Sequence, residues 1–302
     1  MRVTLTGATG RIGSGLAEAL VRRGDDVCVL TRDPDRARSR LPEGARAVRW
    51  DPMAGPAPGE ALAGRDAVVH LAGEDVAQRW TSDARQRIRA SRELGTRNLV
   101  AGLRATSERP GTLVSGSASG YYGPRGDERV DESTLPGDDF LAAVCIAWER
   151  EARAAEELGV RVAIVRTGIV LDKDGGALQK MLPPFRLGVG GPIAGGRQYM
   201  PWIHRDDEIG LLLAALDHPT FTGPVNGSAP EPVTNAEFSK ALGRVLHRPA
   251  VAPVPSLAIK LLYGDMSQIV VEGVRMVPGR AGELGYTFAH PELDEALRST
   301  LA

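Results

Sequence analysis

Val3-Thr-Leu-Thr-Gly7-Ala-Thr-Gly10-Arg-Ile-Gly13 reads as a short apolar strand, a glycine-rich turn and the start of a helix. Each glycine has its own physical reason. Gly7 lets the chain leave the strand in a tight turn, Gly10 lets a pyrophosphate come close to the main chain, and Gly13 lets the new helix pack against the strand. A helix starting here would aim its free N–H groups and the positive end of its dipole at that phosphate. Three spaced glycines are common; the strand before them and the helix after them turn the spacing into a dinucleotide signal. Thr9, Arg11 and Ile12 complete the expected cofactor-binding turn.

The same alternation continues outward. Ile12, Leu16 and Leu20 form the apolar stripe of the first helix, and Gly24 is placed to end it. Asp26–Leu30 follows as a continuous apolar strand, as expected where both sheet faces are covered. At its end an NAD site wants an acid for the ribose 2′-hydroxyl. Here the chain reads Thr31-Arg32-Asp33, so Arg32 is the candidate partner of a 2′-phosphate and NADP is favoured over NAD. The alternative is that Arg32 only opens a polar helix. Ala47–Asp51 is a third strand, whose Asp51 suits either an adenine amino group or loop amides. Ala67-Val-Val-His70-Leu-Ala-Gly73 is a fourth. Its Leu71, Ala72 and Gly73 offer main chain to a passing cofactor, and His70, inside an apolar run, reads as a satisfied core histidine.

Thr81–Leu103 is a long helix whose arginines read as a solvated face. Thr112–Gly116 is a strand running into Ser117-Ala-Ser-Gly-Tyr121-Tyr122-Gly123. Phe140–Leu158 is a helix ended by Gly159, and Val160–Val165 a sixth strand followed by Arg166-Thr167-Gly168. Six strand–helix alternations imply a doubly wound parallel sheet of Rossmann type, with ligands gathered outside the carboxyl ends of its strands. Gly7–Gly13, Arg32, Leu71–Glu74, Ser115–Tyr122 and Arg166–Gly168 all fall at those ends. After Leu171 the pattern changes. Met181–Gly196 is rich in glycine and proline and reads as loop, Ile209–Leu216 as an apolar helix, Val225–Ser228 as a strand returning to the sheet. Helices are expected at Ala236–Leu246, Ser256–Tyr263 and Pro291–Leu301. The expected division is a dinucleotide-binding part over 1–172, rejoined by 201–228, and a smaller interleaved substrate lobe over 173–302, with a small C-terminal domain from about residue 250.

The net charge of −1 argues against nucleic acid or an anionic membrane as the main partner. No apolar run approaches the ~18 residues of a membrane span. Two cysteines, Cys28 and Cys145, and the absence of a leader pattern point to the cytoplasm. No cluster of histidine, cysteine and acid has metal-ligand spacing, so no metal is expected.

Thr6-Gly-Ala-Thr-Gly-Arg-Ile-Gly13, His70-Leu-Ala-Gly73, Ser117–Gly123 and Trp202-Ile-His-Arg-Asp-Asp207 together resemble the extended and atypical short-chain dehydrogenase/reductases, the nucleotide-sugar epimerase/dehydratase superfamily. Ser117–Gly123, Cys145-Ile-Ala-Trp-Glu149 and Gly285-Tyr-Thr-Phe-Ala-His-Pro291 resemble one subfamily, the epimerase family proteins with a small C-terminal domain. The resemblance covers essentially the whole chain. It implies an active-site serine, matched by Ser117, and a tyrosine and lysine four residues apart on one helix. Those two positions hold Cys145 and Glu149, so the spacing survives without the chemistry. Tyr121 or Tyr122 is the candidate substitute hydroxyl; the alternative is that Tyr122 packs in the core while Tyr121 lines the pocket. His204 suits a structural bond to Asp206 or Asp207 better than a general base.

Two functions follow as expectations. One is an NADP(H)-binding epimerase or oxidoreductase, preferring NADPH to NADH, that acts on a nucleotide sugar or related small polar metabolite through Ser117 and Tyr121. The other is a non-catalytic NADP(H)-binding sensor or scaffold. A homodimer is expected by analogy with the superfamily.

Overall fold

The computed structural model describes residues 1–302. Seven strands form one fully parallel sheet: β1 (Arg2–Thr6), β2 (Asp26–Thr31), β3 (Arg46–Arg49), β4 (Ala67–His70), β5 (Thr112–Ala118), β7 (Arg161–Thr167) and β11 (Gly223–Gly227). The other strands pair off: β6 (Arg129–Val130) with β13 (Arg275–Met276), β8 (Ile169–Leu171) with β10 (Trp202–His204), and β9 (Tyr199–Met200) with β12 (Val233–Thr234). The sheet order is β11-β7-β5-β4-β1-β2-β3. The chain runs from β1 outward through β2 to β3, then crosses back to β4 on the other side of β1 and continues outward that way. The strand order therefore reverses beside the glycine turn.

Each inner strand divides its side chains between two cores. Val27 and Val29 of β2 join Val3, Leu5, Leu16 and Leu20 on the face covered by α1 (Arg11–Arg22) and α6 (Arg205–Asp217). Cys28 and Leu30 join Leu99, Leu103 and Ala152 on the face covered by α3 (Ser82–Ala105) and α4 (Phe140–Arg153). That double burial is why β2 reads as an uninterrupted apolar run. The short α2 (Pro34–Arg38) follows β2. A third core joins α5 (Gly176–Arg186), α7 (Asn235–Leu246) and α11 (Leu293–Leu301) through Leu178, Phe185, Trp202, Phe238 and Leu297. Between them the chain forms α8 (Ser256–Tyr263), α9 (Gln268–Val271) and α10 (Gly279–Glu283). No helix is long and apolar enough to cross a membrane.

Several boundaries differ from the sequence reading, and three of them are instructive. The expected loop over 181–196 begins inside α5, which carries Pro183 and Pro184 in its interior. The stripe Leu178–Leu182–Phe185 is buried, and that packing carries the helix through two prolines that each remove an amide from its hydrogen-bond ladder. The helix from Phe140 stops at Arg153 and continues as a 3-10 turn, Glu156–Leu158, before left-handed Gly159. The third strand ends at Arg49; Trp50 still donates its amide to the Thr31 carbonyl at 2.8 Å, and its buried indole N–H donates to the Gly55 carbonyl at 3.0 Å.

Candidate cofactor cleft and active site

The glycine turn is built as tightly as its sequence implies. Gly7 has φ +74°, and a Cβ there would stand 2.8 Å from the Leu71 carbonyl carbon. A Cβ on Gly13 would overlap the Gly7 carbonyl oxygen. Leu71 and Ala72 both donate their N–H to Thr6 Oγ1 at 3.2 Å, which locks the β1 and β4 ends back to back. Helix α1 begins after Gly10; like α5, α8, α9 and α10 it has no capping side chain and no acid in its first turn, and what sets it apart is the glycine turn before it. Helices α2, α3, α4 and α7 are capped by Asp33, Thr81, Asp139 and Thr234. Within this turn Thr9 is exposed and Ile12 half-buried.

At the end of β2, Asp33 is engaged by the Arg36 amide at 3.1 Å, while exposed Arg32 forms no ion pair with any carboxylate. Asp51, exposed, accepts from the Met53 amide at 3.0 Å through one carboxylate oxygen. Arg11 leaves the turn sideways. Its Nη1 lies 3.5 Å from the Asp172 carboxylate, and its guanidinium covers Gly175, where any Cβ would overlap it.

The other half of the cleft holds a closed polar network. Ser117 donates to Glu149 Oε1 at 2.7 Å. Arg166 grips the same carboxylate with a fork, Nε to Oε1 at 2.8 Å and Nη2 to Oε2 at 2.9 Å. Its Nη1 donates to the Tyr122 hydroxyl at 3.0 Å, which in turn donates to Asn226 Oδ1 at 2.7 Å. All five side chains are buried. Burial opposes the charge on Arg166, yet Glu149 holds the guanidinium pKa above its ordinary value. Burial pushes the Tyr122 phenol up to about 12, against the pull of Arg166. Burial, reinforced by Glu149, pushes the Cys145 thiol up to about 12 as well. Tyr122 is therefore a core group. Tyr121 is half-buried, its ring 3.4 Å from the Arg166 guanidinium carbon, and its hydroxyl meets no protein partner. The Arg166 side chain is held by Glu149 and Tyr122, and its main chain lies between β5 and β11 at the carboxyl end of β7. Gly168 donates its N–H to the Gly227 carbonyl at 2.8 Å and has no room for a side chain beside Pro201.

His70 is the interior histidine the sequence implied, bonded to Thr6 Oγ1 at 2.8 Å and Thr96 Oγ1 at 3.0 Å, with burial pushing it down to about 4. His204 caps α6, its Nδ1 accepting the Asp206 amide at 3.1 Å, and stacks on His290 with ring centroids 3.8 Å apart. Asp206 completes a group whose ligand atoms lie within 4.8 Å of one another, with the His204 nitrogen already engaged by the helix. The neighbouring Asp207 holds the C-terminal motif: it accepts from the Tyr286 hydroxyl, the Ala289 amide and the His290 amide at 3.0, 2.7 and 2.9 Å.

Sequence reasoning missed the partnership of Glu149 with Arg166. The available signal was two opposite charges, one on an apolar helix face and one at an apolar strand end. It also missed Glu208, buried behind Thr167, whose hydroxyl donates to Oε1 at 2.6 Å while Oε2 has no partner.

A doubly wound parallel sheet, a glycine turn at its switch point and a polar cluster at the neighbouring strand ends define a Rossmann-type α/β protein of the dinucleotide-binding class. The chain belongs to the NAD dependent epimerase/dehydratase family, whose model matches residues 3–226. Residues 254–300 match a domain of unknown function, DUF1731. The chain is 39% identical to the epimerase family protein SDR39U1 homolog, chloroplastic, of Arabidopsis thaliana, over 100% of this chain and 87% of that one. It is 36% identical to human epimerase family protein SDR39U1, with 100% of both covered. The crystal structure of human SDR39U1 (isoform 2) with NADPH matches 99% of each chain at TM-score 0.88 and 35% identity.

Proposed function

We propose that this protein binds NADP(H) along the carboxyl ends of its strands and exchanges a hydride with a carbinol or carbonyl carbon of a nucleotide sugar or related small polar metabolite. The observation that carries the reading is the start of α1, which has neither a capping side chain nor an acid and lies in a turn too tight for any Cβ at Gly7 or Gly13. Such an end suits a pyrophosphate. The NADPH in the similar human protein and the unpaired Arg32 support the same reading.

The main chain of Gly10, Arg11, Ile12 and Gly13 would hold the pyrophosphate, with Gly7 and Thr9 shaping the turn. Arg32 would hold the 2′-phosphate through charge-assisted bonds. Main chain at Leu71, Ala72, Gly73, Arg166 and Gly168 would line the ribose path. The nicotinamide supplies hydride exchange when bound. Ser117 has its proton directed to Glu149, so its oxygen faces a ligand hydroxyl as an acceptor. The Arg166 fork holds that carboxylate in place. The free phenol of Tyr121 is the group that gives or takes the proton on the reacting oxygen. Cys28 and Cys145 are buried, unpaired thiols, which suits the cytoplasm.

Fluorescence titration tests the cofactor: NADPH binds more tightly than NADH, and Arg32→Ala narrows the difference by about tenfold or more. Equal affinities in the wild-type protein refute it. Single-turnover loss of nicotinamide absorbance across a panel of keto-sugars and their nucleotide derivatives tests the chemistry, with Tyr121→Phe slowing it by roughly a hundredfold.

One observation favours a second reading. Cys145 and Glu149 occupy the positions of the usual tyrosine and lysine, and the first is neutral while the second is held by Arg166. A protein of this kind could sense NADP(H) without turning over. Tight NADPH binding with no turnover on any panel member supports that reading instead.

A further inference from the structure

Six arginines of α3 face a common problem, where to put a cation on a helix packed against a sheet, and five solve it in the same way. Arg85, Arg87, Arg89, Arg97 and Arg104 pair with Asp265, Glu74, Glu93, Glu151 and Glu157 at the surface. Arg92 does not. It forms no ion pair, and its guanidinium is turned inward, 5.1 Å over the Trp148 ring and against the Cα of Gly73, where a Cβ would meet its carbon at 3.0 Å. Nη1 donates to the main-chain carbonyls of Glu74 at 2.9 Å and Ile88 at 3.2 Å, which fixes the group in place. Nε and Nη2 have no protein acceptor, and neither is among the sealed polar atoms of the interior. They form one edge of the guanidinium, the edge that takes a carboxylate or phosphate through two parallel bonds.

The surroundings of that edge are those of the reaction centre. Gly73 belongs to the main chain proposed to line the cofactor. Trp148 packs under Gly116, one residue before Ser117, with its ring 3.2 Å from where a Gly116 Cβ would be. Cys145 is near enough for the charge of Arg92 to favour its thiolate. The cation of the usual dyad is replaced here by Glu149, whose charge Arg166 already balances. The carboxylates of Glu74 and Asp75 lie near enough to favour the charge on Arg92 but are turned to Gln78 and Arg87 and to the Ala77 amide, so Arg92 is the cation here without a bonded counter-ion. A guanidinium held in position, largely withdrawn from water and lacking an anion is one half of a recognition pair.

We infer that Arg92 is the substrate-anion residue of this protein, binding a carboxylate or phosphate group of the metabolite beside the nicotinamide end of the cleft. The inference rests on the proposed NADP(H) function and adds that the ligand is anionic near its reacting carbon. Arg92 acts by positioning that ligand; Ser117 and Tyr121 remain the groups at the reacting oxygen.

The experiment uses the full chain saturated with NADPH, so that Arg32 is already occupied, and titrates malonate and, separately, inorganic phosphate against sodium chloride at equal ionic strength. Thermal melting and cofactor fluorescence report binding in the wild-type protein, Arg92→Gln and Arg92→Lys. The wild-type protein is expected to bind at least one of the two anions. Arg92→Gln is expected to weaken that binding about tenfold or more while its NADPH affinity stays within about twofold. Arg92→Lys keeps the charge and loses the fork, so it is expected to fall between them, and it decides the matter if the glutamine variant does not fold. Failure of the wild-type protein to bind either anion overturns the inference, as does anion binding that survives unchanged in the variants. Loss of NADPH affinity in the variants also overturns it, by assigning Arg92 to the cofactor. Failure of the wild-type protein to bind NADPH at all overturns the cofactor reading and is seen in a separate titration.

Discussion

Glu208 sits 1% exposed in the first turn of α6, one oxygen on Thr167 and the other without a partner, and burial pushes its carboxyl up to about 7. In the unfolded chain the same group ionises near 4.5. Between those values the folded protein holds a proton that the unfolded chain has released. Stability therefore falls as pH climbs through this window, and the loss is complete above about 7. The difference amounts to about 3 kcal/mol. Glu208→Gln should then melt above the wild-type protein at pH ~8 and level with it at pH ~4.5; parallel pH profiles would refute the assignment. The Glu149–Arg166 pair follows the opposite logic. Arg166→Met strands a buried carboxylate and should cost about 3–5 kcal/mol in urea unfolding, whereas Glu149→Leu with Arg166→Met should recover most of that loss. At this scale the sequence displayed the misfit of Cys145 and Glu149 with the usual dyad. It did not display the partner that makes Glu149 tolerable, because that contact depends on how α4 lies against β7.

Among the elements, those with local signals were legible and those defined by contact were not. Thr234 and Glu237 form a capping box at the start of α7, and Ser256–Tyr263 forms the helix read from its pattern. Helix α5 was obscured because Pro183 and Pro184 speak for a break, while the buried stripe that overrides them is apparent only once Phe238 and Trp202 lie against it. The motif Gly285–Pro291 had no local meaning at all. The fold gives it one: Tyr286 and the amides of Ala289 and His290 close around the Asp207 carboxylate at the start of α6. Gly210 leaves the space that the Tyr286 hydroxyl occupies. Asp207→Ala should leave those amides unsatisfied, at about 1–3 kcal/mol each, and free the segment from α6. Limited proteolysis should then cut near 285–292 before the sheet is touched. Unchanged resistance in that segment would show that Asp207 does not hold it.

For the molecule as a whole, the strand–helix alternation decided the architecture, because parallel strands buried on both faces leave continuous apolar runs. The last strand is the instructive one. β7 ends at Thr167, and its outer neighbour β11 starts only at Gly223, after α5 and α6 have been formed. On the ribosome this ordering has a cost in time. At ~5–20 residues per second, the nascent chain carries the unpaired edge of β7, with buried Val162 and Ile164 in it, for several seconds before β11 emerges. Over that interval the half-made sheet is a template for pairing with any other strand, and the partner that ends the hazard is encoded on the far side of the cleft.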